Sequence, residues 1–269
     1  MQDFNRYVAI AEEFPNNPAD KVKSGGLMHD RRVSRIITPG TLIDETFIDP
    51  LTNNYVLAIH IEESVQGRGG SEETLRTLGE PRPDMLLGLA WLDLSTGHFF
   101  TQSTTLSALP SILARIGPRE IVLNEDLQSS KEHRLFTVLV EDNHLITYMA
   151  NSEVTPIAEW SSKLETAVPT KTMDAFLPEE VAAGSALLKY VETRLQVSSM
   201  KLQPPSRQLD VMGIDKNTMT ALEVRRTSRE GVIRGSLLHT VRRTVTQGGA
   251  RLLDRWLSEL GLLYGIELY

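Results

Sequence analysis

The first two thirds of the chain alternate between short apolar runs and polar turns, a pattern that predicts strands joined to helices. Four runs have the character of strands, at 54–61, 85–94, 98–102 and 120–123. The third follows a Ser-Thr-Gly turn and predicts the returning strand of a hairpin. Apolar residues at helical spacing predict a helix over 106–116, and 135–149 predicts one more helix or strand. A helix that crosses between parallel strands implies a right-handed βαβ unit, so an α/β domain is expected.

The last third of the chain carries apolar positions at helical spacing, which predicts helices. One helix is expected to begin near Phe176, with Asp174 as its cap, and Ser236 and Thr246 are expected to cap two more. The two later helices each have one apolar face, made of Leu237, Leu238, Val241 and Val245 in the first and of Leu252, Leu253, Trp256 and Leu257 in the second. A helical glycine costs about 1 kcal/mol relative to Ala, so the Gly-Gly pair at 248–249 indicates that another backbone comes close there.

Composition and charge limit the classes of function. The chain has 269 residues, 41% hydrophobic content, a net charge of −7 and no cysteine. It is therefore long enough for about two domains, and a disulfide framework or a thiolate metal site is excluded. The whole chain is acidic and does not attract nucleic acid, although arginines crowd 225–255. The longest apolar run, 85–92, is far shorter than the roughly 18 residues of a membrane helix, and no signal peptide is visible.

Three motifs occur one after another in the last third of the chain. They are Ile-Asp-x-x-Thr-x-x-x-Leu-Glu at 214–223, Gly-Ser-Leu-Leu at 235–238 and Thr-Val-Thr-x-x-Gly-x-Arg-Leu-Leu-x-x-Trp-Leu at 244–257. In this order they resemble the start of the core, or lever, domain of the MutS family of DNA mismatch-repair ATPases. The residues that carry the resemblance, and for which it implies a structural role, are Asp215, Leu222, Glu223, Gly235, Ser236, Leu237, Leu238, Thr246, Gly249, Arg251, Leu252, Leu253, Trp256 and Leu257.

Earlier segments resemble further parts of the same family, in the family's order. The run RRVSRIITPGTLIDE at 31–45 resembles the join between the mismatch-binding domain and the connector domain. The runs at 88–100 and 118–126 resemble the connector domain, which has an RNase-H-like α/β fold in the family, and 182–196 resembles the core domain. The resemblance therefore implies an RNase-H-like α/β connector domain followed by an all-α, partial lever or core domain.

Domain limits and origin are implied by the same resemblance. We expect a C-terminal remnant of the mismatch-binding domain at 1–38, the connector domain at 39–168 and a truncated N-terminal part of the helical core or lever domain at 169–269. The wording of 237–253 is most similar to fungal mitochondrial members, so a mitochondrial location is expected, with the nucleus as the alternative. The tail at 258–269 does not resemble the long core helices that come next in the family, so a fragment is expected.

Two motifs that carry the family's chemistry are missing from the sequence. A phosphate-binding loop needs G-x-x-x-x-G-K-[ST], and no Gly-Lys pair occurs. The family's mismatch wedge is Phe-x-Glu, and no phenylalanine is followed by Glu two residues later. We therefore expect no enzymatic activity, no catalytic, nucleotide-binding or metal-binding residue and no cofactor in this chain. For a full-length parent, the resemblance implies ATP and Mg²⁺, mismatched double-stranded DNA as the partner, a dimer of MutS-type subunits and no membrane.

Arginines of the last third are candidates for contacts with DNA phosphates. Arg225, Arg229 and Arg242 could each add to a salt-dependent attraction. The favoured alternative is a solvated face whose arginines pair with nearby acidic residues, since the family's main DNA clamp is expected outside this chain. Those acidic residues are Glu223, Glu230 and Asp254. Trp160 and Trp256 are expected in the core rather than as platforms for bases.

An RNase-H-like fold also raises the hypothesis of a two-metal nuclease with carboxylates on adjacent strands. The candidate ligands are Asp93, Glu120, Glu125 and Asp126. A carboxylate exposed at the sheet edge and a pair of loop residues is the favoured alternative, because the resemblance is to a non-catalytic domain and a fold alone does not establish an activity. The six histidines show no H-x-x-x-H spacing, so a zinc site is not expected.

Three hypotheses of function result. The first is the connector and lever relay of a protein that, in full length, binds mispaired DNA and ATP. The second is a free-standing adaptor that docks a partner protein on its α/β domain. The third, and least favoured, is the metal-dependent nuclease.

Overall fold

The computed structural model describes residues 7–15, 29–44, 47–49, 52–61, 83–129, 131–141, 144–195, 201–208 and 214–258. An antiparallel hairpin comes first, made of β1 (Val8–Pro15) and β2 (His29–Ile37), with an irregular register between Ile10 and Ala11. A six-stranded sheet comes next. Its strands are β3 (Tyr55–Ile61), β4 (Leu86–Asp93), β5 (His98–Thr105), β6 (Glu120–Asn124), β7 (Ile146–Met149) and β8 (Ser206–Arg207).

The sheet is mixed and has the order β7-β6-β3-β4-β5-β8. β4 is antiparallel to both β3 and β5, which confirms the predicted hairpin, whereas β6 and β7 are parallel to β3. Helix α1 (Leu109–Ile116) carries the chain from β5 to β6 and ends at Gly117, whose φ of 63° suits a residue without Cβ. The segment predicted as one helix or strand contains both, α2 (Arg134–Glu141) and then β7.

Each face of the sheet has its own apolar core. On one face α1 and α2 cover side chains such as Leu57, Leu89 and Trp91. The other face is covered by helix α4 (Pro178–Leu195) and by a 3₁₀ segment that places Trp160 in the core, as predicted. The short helix α3 (Thr170–Met173) follows the 3₁₀ segment and precedes α4 in the chain. The result is a three-layered α/β arrangement.

Helix α4 packs so closely on the sheet that it shares the core of the α/β unit. A Cβ at Gly88 of β4 would lie 1.9 Å from the carbonyl oxygen of Glu179, and one at Gly184 would lie 2.4 Å from the Trp160 ring. β8 also joins the sheet, beside β5. An all-α unit from 169 onward is therefore not confirmed, because part of this stretch completes the α/β unit.

The predicted cap of α4 was wrong in its detail. Asp174 ends α3 instead of starting α4. The first turn of α4 is closed by Glu180, whose carboxylate accepts the backbone N–H of Leu177 at 2.9 Å. Glu180 takes this role because a Glu at the third position of a helix can accept the backbone N–H of the residue before the helix.

In the described ranges after the sheet, the chain forms the helices α5 (Lys216–Ala221), α6 (Leu237–Val241) and α7 (Gln247–Ser258). The residues at 242–246, between α6 and α7, are not helical. In α7 the buried positions are Ala250, Arg251, Asp254 and Ser258. This helix therefore turns its polar face inward, the reverse of the expected orientation.

Candidate functional site

A buried carboxylate joins four separate segments at the start of β6. Glu120 is 0% exposed, and its Oε1 accepts the hydroxyl of Thr147 at 2.6 Å and that of Tyr190 at 2.5 Å. Its Oε2 accepts the backbone N–H of Gly40 at 3.1 Å and the hydroxyl of Thr38. The carboxylate thus holds β6, β7, α4 and the turn after β2 together.

Among the donors around Glu120, the phenol of Tyr190 keeps its proton. Burial, the negative charge of Glu120 and its hydrogen bond raise the pKa of Tyr190 above its ordinary value. The phenol therefore remains protonated and donates. The network extends to the start of the hairpin, because the hydroxyls of Tyr7 and Thr147 lie 2.6 Å apart. Sequence reasoning missed this role, although the strand period places Glu120 on the same buried face as Val122.

Asp93 forms a second buried site at the neighbouring end of β4. It is 0% exposed, which corrects the expectation of an edge-exposed carboxylate. Its Oδ1 accepts the backbone N–H of Ser95 at 2.9 Å and the Ser95 hydroxyl at 2.6 Å, and its Oδ2 accepts the backbone N–H of Asn54 at 3.0 Å. The hydrogen bonds close the β4–β5 turn and attach it to the segment before β3.

The four nuclease candidates do not form a metal site. Asp93 and Glu120 are each satisfied by protein donors, whereas Glu125 and Asp126 are exposed. Within the described ranges, no group of three or more acidic or histidine side chains is placed to hold a metal ion. The geometry gives no support to the nuclease hypothesis.

Helix α7 docks on this end of the sheet through polar groups. Arg251 donates from Nη1 to the Ser95 hydroxyl at 2.6 Å, and its carbonyl oxygen accepts the side-chain amide of Asn53 at 3.3 Å. The guanidinium of Arg255 lies 5.5 Å from the centre of the Phe100 ring. The contacts join α7 to the β4–β5 turn and to the segment before β3.

These contacts form a continuous chain, which we call the polar path. It starts at the carbonyl oxygen of Leu42, which faces the side-chain amide of Asn54 at 3.5 Å. It continues from Asn54 through Asp93 and Ser95 to Arg251 on α7. The polar path therefore connects the turn after β2 with α7 across one end of the sheet.

Arg225 supplies a second attachment of α7. Its Nε donates to Asp254 at 2.9 Å and its Nη1 donates to the carbonyl oxygen of Ala114, near the end of α1, at 3.3 Å. Burial raises the pKa of Asp254, and the charge and hydrogen bonds of Arg225 oppose that rise. The pairing with an acidic residue is confirmed for Arg225. Of the other two candidate phosphate contacts, Arg229 is exposed and Arg242 is half-buried.

Several residues of the family motifs fix the ends of short helices. The side chain of Asp215 accepts the backbone N–H of Thr218 at 3.0 Å at the start of α5. Ser236 and Thr246 cap α6 and α7 as predicted, at 3.2 and 3.1 Å. Gly235 has a φ of 96° directly before the Ser236 cap, which explains glycine at this position. Glu223, with a φ of 48°, accepts the backbone N–H of Ser228 at 2.6 Å.

The leucines and the tryptophan of the motifs face mostly outward. Leu238 is buried, but Leu222, Leu237, Leu252 and Trp256 are exposed, while Leu253 and Leu257 are half-buried. The core position expected for Trp256 is therefore wrong within the part of the chain that the structure describes. Gly248 has no described atom within 4 Å of its would-be Cβ, and Gly249 meets only Thr246 and Thr244, so the expected approach of a distant backbone is not found.

In the part of the chain that the structure describes, a cleft lies at either end of the sheet. One, of about 270 Å³, lies at the carboxyl ends of β3, β6 and β7 and is lined by apolar and polar residues, among them His60, Asn124 and Ser185. The other, of about 130 Å³, lies between α1 and the segment after α5 and is lined by Arg119, Arg225 and Arg226, among others. No helix in the described ranges has the length and apolar character needed to cross a bilayer.

Comparison of the sequence with known proteins gives a consistent similarity. Residues 80–203 match the family model for MutS domain II. Over 93% of its length the chain is 34% identical to the DNA mismatch repair protein MutS of Rhodopseudomonas palustris (strain BisA53) and of Bradyrhizobium sp. (strain ORS 278), and 31% identical to that of Nitrobacter hamburgensis. It spans about a quarter of these relatives, 26% of each. Residues 80–203 therefore correspond to MutS domain II, and 93% of the chain is similar to a part of these MutS proteins.

Proposed function

We propose that this chain is the relay portion of a MutS-type DNA mismatch-repair protein, connecting a part that grips DNA with a part that binds nucleotide. The observation that carries the proposal is the polar path, because it links the turn after β2 to α7 without interruption. Coupling between distant sites needs contiguous elements that respond to both. The end of the sheet supplies such a connection.

The polar path is suited to transmit a displacement. Asp93 is fully buried, and both of its oxygens are engaged by Ser95 and Asn54. Water cannot replace a partner that moves away, so a shift of Ser95 has to move its neighbours or break a buried hydrogen bond. Since Ser95 also accepts from Arg251, a movement of α7 acts directly on the same carboxylate.

The activities of the whole protein are part of the proposal. A full-length parent binds mispaired double-stranded DNA as a dimer of MutS-type subunits and uses ATP with Mg²⁺. This chain contributes no ATPase site, because the phosphate-binding G-x-x-x-x-G-K-[ST] pattern is absent from its sequence. The proposal accordingly assigns no nucleotide-binding, metal-binding or catalytic residue to this chain.

Gel retardation with a full-length version tests the proposal. It is expected to bind a mismatched duplex more tightly than a paired one, and ATP is expected to change that preference. Ser95→Ala should weaken the effect of ATP while leaving binding without ATP in place; Ser107→Ala, at an exposed position, is the matched control. The 269-residue chain should hydrolyse no ATP and show little mismatch preference. Equal binding of both duplexes by the full-length version would refute the function.

The proposed location is the mitochondrion, with the nucleus as the alternative. It rests on the similarity of 237–253 to fungal mitochondrial members of the family. Fractionation of cells that express the full-length protein with a C-terminal tag tests it, and recovery in the nuclear fraction alone would support the alternative.

An adaptor that docks a partner protein is the second candidate function. The sequence placed its docking surface on the α/β unit. The exposed apolar side chains of α6, α7 and the segment between them, among them Val245 at 100% and Trp256 at 59% exposure, favour docking on the C-terminal helices instead. It differs from the relay in its prediction for Ser95→Ala, which an adaptor would tolerate without functional loss.

A further inference from the structure

The cleft between α1 and the segment after α5 gathers positive charge from two parts of the chain. Arg119 comes from the connection between α1 and β6, while Arg225 and Arg226 follow α5. We call this the arginine cleft. Two carboxylates, Asp49 and Asp254, also act on it, so three guanidiniums exceed the acidic groups by one positive charge.

The guanidinium groups of the arginine cleft keep donors available. Arg119 donates from Nη2 to the Thr52 hydroxyl at 3.2 Å, and Arg226 donates from Nη1 to the carbonyl oxygen of Gly231 at 2.9 Å. A guanidinium has five N–H donors. Among the described residues these are the only protein acceptors of the two side chains, whereas Arg225 is engaged by Asp254 and Ala114.

Like charges stand close together in this cleft. Burial comes first and the charge of Arg226 second among the causes that lower the pKa of Arg119. Two guanidiniums near each other repel, and an anion between them relieves that repulsion while accepting forked hydrogen bonds. The cleft, of about 130 Å³, exceeds the roughly 10–15 Å³ that a single water needs, so an anion larger than water can enter it.

We propose that the arginine cleft binds one oxyanion of the phosphate class, held by Arg119 and Arg226 beside the Arg225–Asp254 pair. Because Arg119 belongs to the α/β unit and Arg226 to the C-terminal segment, the bound anion draws the two together. The site does not depend on the proposed relay function. Its ligand is free phosphate or a backbone phosphate of a nucleic acid, which share the same chemistry.

Thermal unfolding of the 269-residue chain tests the site with inorganic phosphate, with sodium chloride keeping the ionic strength constant. The midpoint temperature is expected to rise with phosphate. Arg226→Gln should weaken the apparent affinity about tenfold, the loss of one charge-assisted hydrogen-bonding group. Arg229→Gln, an equal change of charge at an exposed residue that does not line the cleft, should leave it unchanged. Arg119→Gln is the second variant and should act like Arg226→Gln.

A second arm distinguishes the source of the anion. Anisotropy of a labelled duplex is followed against salt for the same variants. If the ligand is a backbone phosphate, Arg226→Gln lowers the slope of log affinity against log salt by about one, and Arg229→Gln does not. If it is free phosphate, the slopes agree and only the midpoint temperature responds. An equal response of all variants to phosphate, or no response of the unmodified chain in either arm, overturns the proposal.

Discussion

Glu120 and Asp93 are acidic side chains that the fold removes completely from water at one end of the sheet. A buried charge without partners costs several kcal/mol, so the hydrogen bonds around each carboxylate are a condition for its burial. Those bonds also decide which segments meet at each site. The two buried carboxylates therefore fix the positions of the turn after β2, of α4 and of the β4–β5 turn.

The first prediction concerns Glu120→Gln. The amide nitrogen donates where the carboxylate oxygen accepted, so at least one pair of donors loses its acceptor. We expect the free energy of unfolding in urea to fall by about 2–4 kcal/mol, and Tyr190→Phe to cost about 1 kcal/mol. Glu159→Gln, at an exposed position, is the control. Equal stability of Glu120→Gln and the control would contradict the role given to this carboxylate.

The second prediction concerns pH. Burial and the charge of Arg255 lower the pKa of His98 below its ordinary value of 6.5, while Asp93 opposes this, and burial lowers that of His133. Below about pH 6.5 the unfolded chain therefore binds more protons than the folded one, and the contribution of these histidines to stability decreases as the pH falls.

Urea unfolding at about pH 7.5 and about pH 5.5, on either side of the ordinary histidine pKa, measures this effect. His98→Gln should lose less stability between the two pH values than the unmodified chain. His239→Gln, at an exposed position, should lose as much as the unmodified chain. An unchanged pH dependence in His98→Gln would mean that this ring does not contribute.

Local chemistry decided which site residues could be predicted. Ser236 and Thr246 were recognised as caps because each bonds to a backbone N–H three residues away. Glu120 was not, because its partners lie 27 to 82 residues away in the chain. A sequence pattern shows that such a carboxylate is buried on a strand face, but only the fold shows what it binds.

Helices α4 and α7 pack differently from what the sequence pattern predicted. The strands β3 to β6 and helix α1 were predicted close to their observed bounds, because apolar periodicity reports burial directly. Periodicity does not name the partner of a face, so α4 was assigned to a helical unit although it packs on β3 and β4. In α7 the polar face is inward, because Arg251 and Asp254 meet hydrogen-bonding groups there.

The third prediction tests the docking of α7. Arg251→Met keeps much of the side-chain volume but removes the donor to Ser95, and we expect a loss of about 1–3 kcal/mol in the free energy of unfolding. A double-mutant cycle with Ser95→Ala should show a coupling energy of at least about 0.5 kcal/mol. Arg234→Met, at an exposed position, serves as the control. Additive effects of Arg251→Met and Ser95→Ala would exclude a direct contact.

At the scale of the whole molecule, the exposed apolar side chains of α6, α7 and the segment between them set the surface character of the C-terminal region. Val245, Trp256 and Leu237 are all more than a third exposed. Where such side chains form one surface, that surface marks an interaction site or promotes association. The polypeptide is therefore expected to associate with itself at high concentration.

The fourth prediction follows from this surface. Trp256→Glu should reduce self-association in sedimentation velocity and leave thermal unfolding nearly unchanged, because the ring is 59% exposed. Leu238→Glu changes a buried residue and should lower the midpoint temperature instead. Association that is as strong in Trp256→Glu as in the unmodified chain would place the self-contact elsewhere.

The inward polar face of α7 has a consequence for how the molecule can open. A helix that packs through apolar side chains exposes them to water when it detaches. Detachment of α7 would instead expose arginine, aspartate and serine side chains, which water solvates well. Detaching it therefore carries a small hydrophobic penalty, and the main cost is the loss of its hydrogen bonds to Ser95, Asn53 and Arg225. Such a helix can detach and dock again, and each detachment removes the Arg251 donor from Ser95 and so alters the hydrogen bonds of Asp93.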